Sequence, residues 1–233
     1  MKVLARLIRP LLDVAVPPLC CGCERLLERR DEGICPACRN LLRPVRAGDP
    51  AYEATRARVR DGGGAEDLVC LYYMEEEGPL RTIIHRLKYG HMRALGVLLG
   101  EDLGGVLRLG PDESEDAWVI PVPLHGVRER ERGYNQSEAI AEGIGRVTGI
   151  PLLPRALRRV RPTPSQTGLS AGGRAENVRG AFGPGRDASL VRGRALVLAD
   201  DVVTSGATLS SCSSLLGHLG AARVVACSVA LAP

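Results

Sequence analysis

The chain has 233 residues, a formal net charge of +4 and 45% hydrophobic residues, enough for one α/β domain of ordinary size with a small appendage. Aromatic residues make up only 3%, so Ala, Val and Leu must build the core, and base-stacking platforms of the single-strand-binding kind are disfavoured. No apolar run approaches the roughly 18 residues of a membrane span, and neither a GxGxxG dinucleotide fingerprint nor a GxxxxGK P-loop is present.

At the N-terminus, Leu4, Leu7, Ile8, Leu11, Leu12 and Ala15 keep helical spacing, which predicts a short amphipathic helix bent at Pro10 and docked on the protein's own core. Arg6, Arg9 and Asp13 interrupt the apolar stretch, so it does not read as a secretory signal. Next come two C-x2-C pairs, Cys20 with Cys23 and Cys35 with Cys38. Each tight turn would supply two thiolates to one tetrahedral zinc ion; paired disulfides are the alternative, without a secretory signal to favour them. Cys21 is a spare, alternative ligand, whereas Cys70, Cys212 and Cys227 sit among apolar residues and read as core. Residues 1–48 thus form an N-terminal helix and zinc module, 49–67 a polar, Gly-rich linker with partial helix between Tyr52 and Val59, and 68–233 the main domain.

A strand is expected near Leu68 to Met74. Leu80, Ile83, Ile84 and Leu87 then keep helical spacing, with Lys88 at the helix end, and a second helix, loosened by Gly96, Gly100, Gly104 and Gly105, spans Met92 to Leu109. An acidic loop covers 110–116. A buried strand over Ala117 to Ile120 runs into a loop, 125–136, carrying Arg128, Arg130 and Arg132, then Asn135 and Gln136, ahead of a helix from Ser137 to Val147. Alternating Arg and Glu there could be a solvated face or, as the loop follows a strand end, a clamp for pyrophosphate. His125 could serve as a base. A second basic stretch holds Arg155, Arg158, Arg159, Arg161, Arg174 and Arg179 against the single acid Glu176; it could fold over a substrate or meet nucleic-acid phosphates. The last strand is expected at Arg223 to Leu231.

The most informative stretch is Arg194 to Leu209, RALVLADDVVTSGATL. Ala195 to Ala199 suits a strand buried on both faces of a parallel sheet. Asp200 and Asp201 follow where that strand is expected to end, pointing to opposite sides. After Val202 and Val203 comes a small hydroxylated loop, Thr204, Ser205, Gly206, Ala207 and Thr208, and then a helix. Backbone N–H groups at a helix N-terminus favour an anion, and the carboxylates suit ribose hydroxyls or magnesium. Together they describe a sugar-phosphate pocket.

This stretch resembles the phosphoribosyl-pyrophosphate (PRPP) signature of type I phosphoribosyltransferases, with Ser205 where Thr is more common. With the paired C-x2-C motifs, Leu87-Lys88-Tyr89, Arg132-Gly133-Tyr134-Asn135-Gln136 and the segment Thr163 to Phe182, the chain resembles the ComF family over nearly its whole length. The resemblance implies an α/β fold, a type I phosphoribosyltransferase-like parallel sheet flanked by helices with an N-terminal four-cysteine zinc module. It also implies a cytoplasmic protein tied to competence and DNA uptake; if the chain is a binding protein, its basic loops and zinc module would engage single-stranded DNA or a DNA-uptake helicase. On this reading Asp200, Asp201 and Lys88 are the catalytic candidates, residues 202–208 bind the phosphate with magnesium, and Lys88, Arg128, Arg130, Arg132, Asn135, Gln136 and Arg174 surround the pyrophosphate. Arg155, Arg158, Arg159, Arg161 and Arg179 are nucleic-acid candidates. An active transferase, with a nitrogen nucleophile displacing pyrophosphate, is the alternative to a binding protein.

Overall fold

A computed structural model describes residues 17–28, 32–110, 116–161 and 180–232. The expected N-terminal helix and residues 162–179, with Thr163, Gln166, Arg174 and Arg179, lie outside the described residues.

The sheet is built from its apolar runs. Strands β5 (Ala195–Val203) and β6 (Arg223–Leu231) are almost wholly buried along nine residues each. β1 (Asp67–Tyr73) and β2 (Trp118–Pro121) flank them, giving the order β1-β6-β5-β2 with every pairing parallel. Such a sheet needs cover on both faces. One face carries α3 (Pro79–Tyr89), α4 (Arg93–Val106), α6 (Gln136–Thr148) and the cysteine segment with its short helix α1 (Pro36–Asn40), whose Cys20, Cys35, Cys38 and Leu42 join the same apolar cluster as Ile83, Leu87 and Val197. The other face is covered by α2 (Pro50–Asp61), α7 (Ala207–His218) and an antiparallel pair, β3 (Leu157–Arg159) with β4 (Phe182–Pro184). The expected α/β architecture, a parallel sheet flanked by helices behind a small N-terminal cysteine module, is the one observed.

The segment with linker-like composition is a helix over the whole of Pro50–Asp61, capped by the Asp49 side chain on Ala51 N–H. Tyr52, Thr55 and Val59 face inward, the Tyr52 hydroxyl donates to the Leu68 carbonyl at 2.5 Å, and Arg56 pairs with Asp67. Three of the α4 glycines, Gly96, Gly100 and Gly104, are contact points with α6 rather than looseners, whereas Gly105 meets nothing within 4 Å. A Cβ on Gly100 would stand 2.0 Å from the Ile140 carbonyl oxygen, and one on Gly143 2.0 Å from that of Val97, so α4 and α6 touch backbone to backbone. That contact seats the N-terminus of α6 against β5 and β2. Among the described residues, no helix is long and apolar enough to cross a membrane.

Candidate phosphate and metal sites

β5 does not end before its acids. It continues through Val203, because Val202 and Val203 still pair with Ala230 and Leu231 of β6. Asp200 and Asp201 therefore lie inside a central strand, ahead of its last two residues, each only 9% exposed. Alternation sends them to different neighbours. The Ser137 hydroxyl, at the start of α6, donates to Asp200 Oδ1 at 3.0 Å, as does the Asp201 N–H at 2.9 Å. Asp201 Oδ2 meets Lys88 Nζ at 3.3 Å, from the end of α3. Burial and the adjacent Asp201 carboxylate push the Asp200 carboxyl up to about 7, against the opposing pull of the Asp201 N–H, Ser137 and Lys88.

After Val203 the chain turns at Thr204 and Ser205 to Gly206, whose φ of 82° lies in the left-handed region, and α7 starts at Ala207. No side chain caps this helix, so the first N–H groups face the loop unpaired by a cap. A Cβ on Gly206 would come within 2.6 Å of Val59 Cγ2, so the helix read as linker closes the back of the loop. A helix start without a side-chain cap, next to two carboxyls and an ammonium, can take a phosphorylated polyol: anion to the N–H groups, hydroxyls to the carboxylates.

The stretch read as a loop at 125–136 contains a short helix, α5 (Gly126–Arg132), with His125 Nδ1 accepting from Val127 N–H as its cap. That capping role occupies Nδ1 and leaves Nε2 as the nitrogen through which His125 could act as a base. Arg128 and Arg130 are exposed, and Arg128 pairs with Glu131 at 3.1 Å. Arg132 turns the other way. Its guanidinium lies 5.4 Å from the centroid of the Tyr89 ring, beside Lys88, and donates to Gln136 Oε1 at 2.8 Å. Asn135 caps α6, accepting from Ser137 N–H at 3.1 Å and donating to the Val122 carbonyl at 3.1 Å. Gln136 is buried. Asn135 thus fixes the start of α6, which carries Ser137 to Asp200, and Gln136 anchors the Arg132 guanidinium.

The second basic stretch divides. Arg155 pairs with Asp187 at 3.6 Å, Arg161 Nε donates to the Gly180 carbonyl at 3.3 Å, and Arg158 points outward from β3. Arg159, on the opposite side of the strand, is turned inward with its guanidinium 5.3 Å from the Phe182 ring centroid and in the field of Asp200. Burial pulls its pKa down. Arg159 therefore does not share an outward face with Arg158.

Cys20, Cys23, Cys35 and Cys38 come together, all four sulfurs within 4.8 Å of one another. Cys23 and Cys35 Sγ stand 3.7 Å apart, close to the edge of a tetrahedron with metal–sulfur bonds of about 2.3 Å. The Cys35 and Gly22 N–H groups point at Cys20 Sγ at 3.3 and 3.4 Å, and Cys38 N–H at Cys35 Sγ at 3.5 Å. Burial pushes the Cys20 thiol up, but the backbone N–H bonds outweigh it and bring it down to about 6; burial and the neighbouring sulfurs hold Cys38 high. This donor set could hold one metal ion. Cys21 is not part of it. Its thiol points to Met92 Sδ at 3.8 Å and lines a cavity of about 520 Å³ with Leu95 and Leu98. Cys70, Cys212 and Cys227 are buried core, as expected.

From the sequence Ser137 reads only as the start of a helix and Tyr134 only as part of the Arg132 to Gln136 motif; neither the Ser137–Asp200 bond nor that from the Tyr134 hydroxyl to the Leu87 carbonyl is legible there. Their partners are 63 and 47 residues away along the chain, and the only local signal was the run Tyr134-Asn135-Gln136-Ser137 opening a helix.

No family model matches the chain. Competence protein F of Haemophilus influenzae is 30% identical over 217 residues, covering 91% of this chain and 90% of that protein. DNA utilization protein YhgH of Escherichia coli K12 is 31% identical over 227 residues, covering 91% and 96% respectively. Competence protein ComFC of Bacillus subtilis is 25% identical over 208 residues, covering 89% and 81%. With that identity over nine tenths of its length, the chain belongs to the ComF family.

Proposed function

We propose that the chain binds PRPP with magnesium at Asp200, Asp201 and residues 202–208, and that it works in the cytoplasm on single-stranded DNA during uptake, with a helicase as partner. The observation that carries the reading is the buried acid pair. Two adjacent carboxyls at 9% exposure, sharing one lysine, are costly unless a ligand uses them. Phosphate oxygens would take the N–H groups at the start of α7, ribose hydroxyls the carboxylates, and pyrophosphate the Lys88 and Arg132 side. Magnesium, when bound, supplies positive charge to the pyrophosphate oxygens. Zinc in the four-cysteine cluster would have a structural role, because four protein sulfurs leave no open position. The names of the relatives, competence and DNA utilization, support the link to DNA.

Titration calorimetry with PRPP, with and without magnesium, tests the site. Asp200→Asn with Asp201→Asn should abolish the heat, and an unchanged isotherm would refute the assignment. Native mass spectrometry should find one zinc per chain. Binding of single-stranded DNA should fall steeply between about 50 and 200 mM salt. The second reading is a transferase. A nitrogen nucleophile would form a bond to the anomeric carbon as the carbon–oxygen bond to pyrophosphate breaks, and the nucleophile would lose its proton to solvent. Lys88, which meets Asp201, and Arg132, over the neighbouring Tyr89 ring, favour that reading, since cations there would stabilise the departing pyrophosphate. Pyrophosphate release with a panel of amines and bases decides between the two.

A further inference from the structure

The cysteine cluster and the acid pair are joined by a single helix. α3 begins against the first cysteine turn: a Cβ on Gly22 would lie 3.2 Å from Pro79 Cβ and 2.8 Å from Cys38 Sγ. Leu80, Ile83, Ile84 and Leu87 pack in one cluster with Cys20, Cys21, Cys35 and Cys38. In the last turn, Arg86 holds the cysteine turn from both ends. Its Nη1 donates to the Cys20 carbonyl at 3.4 Å, and its Nη2 pairs with Glu24, whose φ of 62° marks the close of that turn. Two residues further on is Lys88, with its ammonium 3.3 Å from Asp201. Between them, the Leu87 carbonyl accepts from Tyr134, which stands next to the α6 cap.

We infer that Arg86 is a positioning residue through which metal in the four-cysteine cluster fixes Lys88 at the acid pair. This rests on the PRPP reading for its ligand but not for its geometry. Without an ion, the turn keeps backbone bonds such as Glu24 N–H to the Cys20 carbonyl at 3.0 Å, but four sulfurs within 4.8 Å lack the shared ligand that would lock the two cysteine pairs together. The Cys20 carbonyl and Glu24 then lose their fixed places, and Arg86 loses both partners together. The end of α3 keeps only its bond to Tyr134 among these polar ties. Lys88 is less than one helical turn from Arg86, so a small displacement of that turn alters a charge contact made at 3.3 Å. The two sites thus share an element that both ends bias, which is the physical requirement for coupling between them.

The test compares zinc-loaded and chelator-stripped protein, under reducing conditions, for the wild type, Arg86→Met and Arg86→Lys. Hydrogen exchange of the 85–90 amides is read beside PRPP affinity. Arg86→Met should retain zinc by native mass spectrometry, yet exchange faster at 87–90 and bind PRPP about tenfold more weakly, within the usual range for site-to-site coupling. Stripping zinc should bring the wild type to that level and change Arg86→Met little further. Arg86→Lys, whose ammonium can still meet Glu24, should recover part of both readouts. Glu24→Gln, at an exposed position, gives an independent variant should Arg86→Met fold poorly. Unchanged exchange in folded, zinc-loaded Arg86→Met or Glu24→Gln would overturn the inference, as would equal losses on stripping with and without Arg86. A wild type that binds no PRPP defeats the ligand assignment alone, and the exchange comparison still decides the coupling.

Discussion

Asp200→Asn should make the protein more stable at pH 8, and by more than at pH 5. Asp200 is held at about 7, against an ordinary 3.8, because it is buried beside Asp201. A carboxyl raised in the folded state costs stability wherever it must ionise. The penalty is absent below the unfolded value, grows as pH rises through the interval, and is complete above the folded value. Taken whole, a move from 3.8 to about 7 corresponds to roughly 4 kcal/mol above pH 7. Asp201 shares that repulsion, and Asn keeps an oxygen for Ser137 and for the Asp201 N–H, so about 2 kcal/mol is the share that one substitution recovers. For a chain of this length that raises Tm by about 4–8 °C. Thermal and urea unfolding at pH 5 and pH 8 measure it, and calorimetry of the same variant should show weakened PRPP binding. A gap of the same size at both pH values, or a variant less stable at pH 8, would refute the reasoning. In either case Asp200 would not be a strained acid held for a ligand.

Gly100→Ala should cost about 3 kcal/mol in urea unfolding, because its Cβ would meet the Ile140 carbonyl at 2.0 Å with backbone on both sides. Gly105→Ala, on the same helix with nothing within 4 Å, should instead stabilise by about 0.5–1 kcal/mol. Gly206→Ala should destabilise by about 1–3 kcal/mol, from its left-handed φ and its approach to Val59, and should weaken PRPP binding; adding Val59→Ala should relieve the steric part only.

The sheet and the acid loop were legible because their signals are local. The Ala195 to Ala199 run is buried on both faces, and the small residues after it turn at Gly206, whose φ of 82° a glycine takes freely. The strand's true end was not legible, because the pairing of Val202 and Val203 depends on Ala230 and Leu231. α2 was hidden by its polar composition. Three inward residues, Tyr52, Thr55 and Val59, suffice to dock it, and its one clear signal was Asp49 ahead of Pro50. α5 was hidden in the same way by alternating Arg and Glu, closed by Gly133 at φ 76°. Gly96, Gly100 and Gly104 misled because their meaning lies in α6. At the site, the acids and Lys88 could be named from motif, but Ser137, Val59 and Arg86 act through contacts that no sequence spacing shows.

The strand order has a consequence for how the protein is made. β6, complete only at Leu231, lies between β1 and β5, and β5 lies between β6 and β2. During synthesis β1 and β2 emerge first and have no partner in the sheet until β5 and β6 follow them out of the ribosome. Val69 must wait for Cys227, and Val119 for Val197. The sheet therefore closes from its centre, late and through long-range pairings, which makes folding slow. Until then, the apolar faces of β1 and β2 are open to misassembly. A chain broken off before Arg223 would lose more than one strand: β1 would have no neighbour in the sheet at all, and β5 would keep only β2.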